Sequence, residues 1–147
     1  MIKAMTKGVD HIGVTASFFC HDGKGNSVMA LRGANARDEQ GRWDIGGGGL
    51  EFGEKIEDRL RTEIKEEYCA DVIEYEFLGF RDAHREHNGK PTHWISLDFK
   101  VRVDHAQVRN GEPHKFDDIR WCTLATLPQP LHSTIPLFFE KYRGKLI

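Results

Sequence analysis

This sequence predicts an α+β fold, an α/β/α sandwich with a mixed β-sheet between helices, and three observations carry the prediction. Residues 92–103 alternate apolar and polar side chains in the period of a half-buried strand. Two segments, 55–68 and 134–142, switch to the spacing of amphipathic helices. The order is strands, helix, long antiparallel strands, short strand, helix, without the regular alternation of a doubly wound sheet. At 147 residues the chain is long enough to bury one core, so 1–147 is expected to be a single domain.

Taken in order, residues 9–20 (VDHIGVTASFFC) are rich in β-branched and aromatic side chains and predict a strand. His21 to Asn26 has turn chemistry, and residues 27–31 (SVMAL) return as the second arm of a hairpin. A polar loop, 33–42, leads to the short extended piece Trp43-Asp44-Ile45 and then to a glycine loop. From Lys55 to about Tyr68, Ile56, Leu60 and Ile64 recur every fourth residue and form one apolar stripe. Residues 72–81 predict a strand, and Asn88-Gly89 is the strongest local hairpin signal in the chain. On the returning strand Ile95, Leu97, Phe99, Val101 and Val103 share one face. Ser96, Asp98, Lys100 and Arg102 share the other. Residues 104–114 read as a polar loop and 119–124 as a short strand. The last helix carries Pro136 in its first turn, with Ile135, Phe138, Phe139 and Tyr142 on its buried face.

The net charge of −2 argues against general affinity for nucleic acid or an anionic membrane. A small polyanion would then need a local positive site or a metal. No apolar run has the length of a transmembrane helix, and the N-terminus lacks the apolar segment of a signal peptide. Cys20, Cys69 and Cys122 are widely spaced and form no CxxC pair, so they read as free thiols in a reducing cytoplasm. His84 and His87 are the closest-spaced histidines, there is no HExxH, and the eight histidines read as surface and hydrogen-bonding residues.

The chemistry concentrates between Trp43 and Ala70. Four glycines, Gly46, Gly47, Gly48 and Gly49, precede Glu51 and Glu54, and glycine lets backbone approach a ligand closely. Glu63, Glu66 and Glu67 lie three and four residues apart, so their carboxylates project from neighbouring positions of one helix. They crowd the end of the helix that the macrodipole makes unfavourable for acids. Mg²⁺ or Mn²⁺ would relieve that repulsion, and oxygen ligands suit both ions.

These residues resemble the Nudix hydrolase family, in particular its MutT-like members. The family's box is a glycine, five residues, a glutamate, seven residues, then Arg-Glu-apolar-any-Glu-Glu-any-Gly-apolar. Here Gly48 is followed after five residues by Glu54, and after seven more by Thr62-Glu63-Ile64-Lys65-Glu66-Glu67-Tyr68-Cys69-Ala70. The stretch from Trp43 to Glu54 is similar to the family's usual prelude, Trp-any-Leu-Pro-Gly-Gly-any-any-Glu-any-Gly-Glu. Three positions depart from the pattern: Gly46 stands for proline, Thr62 for arginine and Cys69 for glycine. Arg59, one turn before Glu63, is the candidate to supply the missing arginine's charge. Cys69 would be strained if its backbone is left-handed.

The resemblance implies a Nudix fold and metal-dependent hydrolysis of a phosphoanhydride in a nucleoside triphosphate or a nucleoside diphosphate linked to another moiety. It implies Glu63, Glu66 and Glu67 as catalytic residues and as metal ligands, with the Gly47 carbonyl and Glu51 added to the metal set and Mg²⁺ as the cofactor. Arg32, Gly48 and Trp121 are the substrate-binding candidates. Glu112, Asp117 and Asp118 are candidates for a distant general base. The run Glu112-Pro113-His114-Lys115, followed by Trp121 and Leu127-Pro128, is similar to MutT-like triphosphatases. ADP-ribose, nucleotide sugars, dinucleotides and RNA 5′ ends are the alternative substrates, and a non-catalytic nucleotide-binding module is the alternative of another class. The expected partner is a small nucleotide; a homodimer is left open, and no membrane or stable nucleic-acid partner is expected.

Overall fold

The strand with the cleanest alternation, β6 (Lys90–Arg102), occupies an interior position of the sheet in the computed structural model, which describes residues 4–146. It runs parallel to β1 (Gly13–His21) and antiparallel to β5 (Glu74–His87). With β2 (Ser27–Arg32) and β3 (Trp43–Asp44) the sheet order is β3-β2-β1-β6-β5. Two further strands branch from this path: β4 (Gly47–Gly49) pairs with β1, and β7 (Phe116–Cys122) with β2. The sheet is therefore mixed, as the sequence predicts.

Alternation along each strand divides the core into two clusters. Ala16, Phe18, Val28, Ala30, Phe99 and Val101 pack with Leu60, Ile64 and Tyr68 of α1 (Ile56–Tyr68). Phe19, Met29 and Leu78 pack with Ile135, Phe138, Phe139 and Tyr142 of α2 (Ile135–Tyr142). Each cluster joins sheet residues to one helix, which is the sandwich. Because the α2 side is also covered, the polar residues Ser96 and Asp98 of β6 are buried instead of solvated. Their burial is compensated: Arg81 donates twice to Asp98, at 2.7 and 2.9 Å, and the hydroxyls of Tyr142 and Ser96 donate at 2.7 Å.

Several sequence boundaries need correction. The first strand starts at Gly13, because residues 7–11 form a turn closed by a Lys7–His11 bridge. The strand expected over 72–81 begins at Glu74 and runs on to His87, since the whole β5–β6 hairpin is paired up to Asn88-Gly89. The strand expected over 119–124 is β7, which starts at Phe116. Ile56 is exposed at the helix start, so the buried stripe of α1 is Leu60, Ile64, Glu67 and Tyr68. No helix among the described residues is long and apolar enough to cross a membrane.

Candidate active site

The glycine stretch, expected as a loop, contains β4. Phe18 donates to the Gly46 carbonyl at 3.1 Å and Leu50 donates to the Val14 carbonyl at 2.8 Å, with Gly48 opposite Ala16 between them. Antiparallel bonds alternate, so the amide and carbonyl of Gly47 point away from β1. Gly46 has φ +114°, which the proline expected there could not adopt. A side chain on Gly46 would also meet Phe18 and Glu67. At Gly48 a Cβ would lie 2.4 Å from Cγ and Cδ of Glu63, so bare backbone there is the surface against which Glu63 packs. Tyr68, buried at the end of α1, donates to the Ile45 carbonyl at 2.8 Å and ties the helix to the glycines.

The three helix carboxylates end up in different environments. Glu66 is exposed, Glu63 is half-buried and Glu67 is 1 % exposed. Burial raises the Glu63 carboxyl above its ordinary pKa, against the pull of Arg59 and with the push of Glu66. Burial pushes Glu67 up to about 8, with Lys115 opposing and Glu63 reinforcing the shift. Lys115 lies 3.3 Å from Oε1 of Glu67, while Oε2 is buried without a hydrogen-bond partner. An orphaned carboxylate oxygen beside further acids fits a hard cation, so the donors present suit the expected metal.

Arg59 bridges the helix to the loop before it. Its Nε and Nη2 donate to the two oxygens of Glu54 at 2.8 and 2.7 Å, and its Nη1 donates to Glu63. The guanidinium thus orients Glu63 from one turn earlier, where the sequence has Thr62 in place of the family's arginine. Cys69 is left-handed, with φ +58°, and its amide caps the helix on the Lys65 carbonyl.

The loop after the 3₁₀ turn His105–Gln107 docks on the end of α1, where amides of Arg109 and Gly111 donate to the carbonyls of Tyr68 and Glu67. A Cβ on Gly111 would lie 2.0 Å from the Glu66 carbonyl oxygen, so only glycine allows this approach. Docking delivers Glu112: one oxygen from each of Glu63, Glu66 and Glu112 lies within 4.8 Å of the others. Asp117 instead faces Gly33, and Asp118 is exposed and 4.0 Å from Arg120. Gly111 was the sequence signal for this arrangement, but its contact is with a helix more than 40 residues away.

Beside the carboxylates opens a cavity of about 350 Å³ lined in part by the glycines, Glu67, Lys115, Arg32, Arg37, Arg81, Arg85 and Trp94. Arg32 does line it, but its guanidinium is held by Asp38 at 2.9 Å and Asp44 at 3.4 Å. Arg37 is half exposed with Asp38 no nearer than 3.8 Å, whereas Lys115, about a third exposed, is paired with Glu67 at 3.3 Å, so Arg37 is the more available cation. Trp121 is not among the lining residues; its ring stacks on His105 with centroids 3.9 Å apart. The aromatic residues that do line it are Trp94 of β6 and Phe116 of β7. Glu51 is exposed and paired with Lys7 at 2.7 Å, apart from the clustered acids.

Comparison with known proteins agrees with this layout. The family model for the NUDIX domain matches residues 11–142. An RNA pyrophosphohydrolase from Bartonella clarridgeiae is 27 % identical over 143 residues, covering 84 % of this chain and 79 % of that protein. The crystal structure of a MutT NUDIX hydrolase from Burkholderia pseudomallei superposes with a TM-score of 0.77 at 24 % identity, covering 88 % of this chain and 96 % of that one. The NUDIX domain of Shewanella oneidensis NrtR, solved with ADP ribose, gives a TM-score of 0.72 at 17 % identity over 97 % and 91 % of the two chains. At such identities the structural likenesses establish the fold.

Proposed function

The chain belongs to the NUDIX domain family, and on that premise we propose that it is a Mg²⁺-dependent pyrophosphohydrolase of a nucleoside triphosphate or a nucleoside diphosphate linked to another moiety. The observation that carries this reading is the buried Glu67, whose unpartnered oxygen belongs to a side chain lining a cavity rich in arginine, on the same helix as Glu63 and Glu66, whose carboxylates gather with that of Glu112. Glu63, Glu66, Glu67 and the outward-facing carbonyl of Gly47 would hold the ion. When bound, it supplies charge compensation on phosphate oxygens and acidifies an attacking water.

The protein's own groups do the rest. Arg59 keeps Glu63 in one orientation by spanning it and Glu54. Lys115 and Arg37 offer cations to the phosphate chain, and Trp94 offers a face for the apolar part of the substrate. Glu112 is the loop acid best placed to take the proton of the attacking water, because it alone of the three loop candidates joins the helix carboxylates. Arg32 acts on the wall and not on phosphate, by fixing Asp38 and Asp44.

A second substrate reading, removal of pyrophosphate from an RNA 5′ end, is favoured by the likeness to the Bartonella protein. One experiment separates the two. The purified protein with Mg²⁺ is offered NTPs, dNTPs, ADP-ribose, nucleotide sugars, dinucleotides and a 5′-triphosphorylated RNA oligonucleotide, and released phosphate and pyrophosphate are measured. Turnover of a free nucleotide supports the first reading, and turnover confined to the RNA supports the second. No release from any of them would refute both and favour a nucleotide-binding module.

A further inference from the structure

The β5–β6 hairpin brings together residues that sequence spacing kept apart. His84 and His93 are directly opposed across the antiparallel pair, and Asp82 lies two residues before His84 on the same strand face. The two imidazole rings are tilted 33° to one another with their centroids 4.1 Å apart. His93 Nε2 lies 2.9 Å from an oxygen of Asp82. One ligand atom from each of the three side chains lies within 4.8 Å of the others.

We infer that Asp82, His84 and His93 form a surface site for a borderline transition metal ion such as Zn²⁺, separate from the glutamate cluster. Two imidazoles and one carboxylate select Zn²⁺, Ni²⁺ or Cu²⁺ over Mg²⁺ and Ca²⁺, which prefer oxygen alone. Metal–ligand bonds of about 2.0–2.2 Å put donors on opposite sides of an ion about 4 Å apart, so side-chain rotation of under about 1 Å closes the set. The scaffold is rigid where it needs to be, since both strands are paired on each side of the three residues. Nearby Lys141 does not block the carboxylate: its ammonium is engaged by the Phe80 carbonyl. Open coordination positions face solvent, because Asp82 and His84 are exposed. The opposite face of the ribbon carries Arg85 and Trp94 into the cavity, so bound metal would stiffen the strands that line it.

The test is calorimetric titration of the full chain with Zn²⁺ in a large excess of Mg²⁺, which occupies oxygen-only sites. The wild type should bind one Zn²⁺ per chain. His84→Ala and His93→Ala should each weaken that binding by more than the roughly 10–100-fold that loss of a supporting outer-shell group alone causes. His105→Ala, which alters a histidine paired with Asp22 elsewhere, should leave it unchanged. Circular dichroism checks that the surface variants remain folded. Absence of Zn²⁺ binding in the wild type, or equal binding in the wild type and both hairpin variants, would overturn the assignment.

Discussion

Gly48→Ala changes one hydrogen into a methyl group and removes no carboxylate, yet it should disable the site. The added Cβ would lie 2.4 Å from both Cγ and Cδ of Glu63 and 2.7 Å from its Oε1. Carbon atoms in contact prefer about 3.5–4.0 Å, so the Glu63 side chain must retreat by about 1 Å or more. Arg59 donates to that carboxylate, so moving it also disturbs the Arg59–Glu63 pair. Misplacement by about 1 Å costs on the order of 10²-fold in rate, equivalent to about 2.7 kcal/mol in the barrier. The overpacking itself costs about 1–3 kcal/mol of stability, which a domain of several kcal/mol survives. The assay is steady-state kinetics on the best substrate, with Mg²⁺ titrated and thermal unfolding recorded in parallel. Gly49→Ala is the internal control, because its Cβ would meet only Trp94 at an ordinary 3.5 Å. A Gly48→Ala protein with kcat and Mg²⁺ dependence unchanged would refute the claim that Glu63 works from its packed position.

Arg59→Ala should cut kcat by about 10–100-fold, the usual cost of losing a group that orients a ligand, and Arg59→Lys should not restore it, because one ammonium cannot span Glu54 and Glu63. An unchanged rate would remove Arg59 as the substitute for the arginine missing at Thr62. Cys69→Gly should stabilise the protein by roughly 0.5–1 kcal/mol, read as a higher urea midpoint at constant m: relief of the left-handed backbone returns about 1–2 kcal/mol, and the freer unfolded chain takes back about 0.4–1. Asp22 gives a pH prediction. Burial alone would raise its carboxyl, but hydrogen bonds from Asn26, the Lys24 amide and His105 outweigh it and hold the carboxyl at about 2 against an ordinary 3.8. Its contribution is therefore complete above the unfolded value and fades as pH falls towards 2, so the stability difference between wild type and Asp22→Asn should shrink in acid and be constant above about pH 5.

The parts of this site that were legible in the sequence are those set by local spacing. Glu63, Glu66 and Glu67 are close because helical geometry makes them so, and the period-two pattern put Phe99, Val101 and Val103 in the core, though it did not foresee that Ser96 and Asp98 on the other face are buried too. What was not legible depends on contacts between distant segments. Nothing local says that Glu67 faces the core and Glu66 the solvent; that follows from which side of α1 meets the sheet. Glu112 joins the cluster through a loop that docks on the helix end, and Asp117 and Asp118 do not, although all three lie in one short acidic stretch. Trp121, the aromatic singled out for substrate, stacks on His105 away from the cavity, and Trp94 lines it because of where β6 runs. Arg32 lines the cavity, and its charge is taken by Asp38 and Asp44, which no motif announces.

The central claim is that a carboxylate buried at Glu67 completes a metal-dependent hydrolytic site. Glu67→Gln tests it most directly, because the amide keeps the shape of a side chain that is 1 % exposed while removing its capacity to ionise. Turnover of the best substrate is measured for wild type and variant over a Mg²⁺ titration, with thermal unfolding as the check on folding. The account predicts a folded variant whose turnover is lost and not recovered at any Mg²⁺ concentration. A folded variant that turns over like the wild type would contradict it.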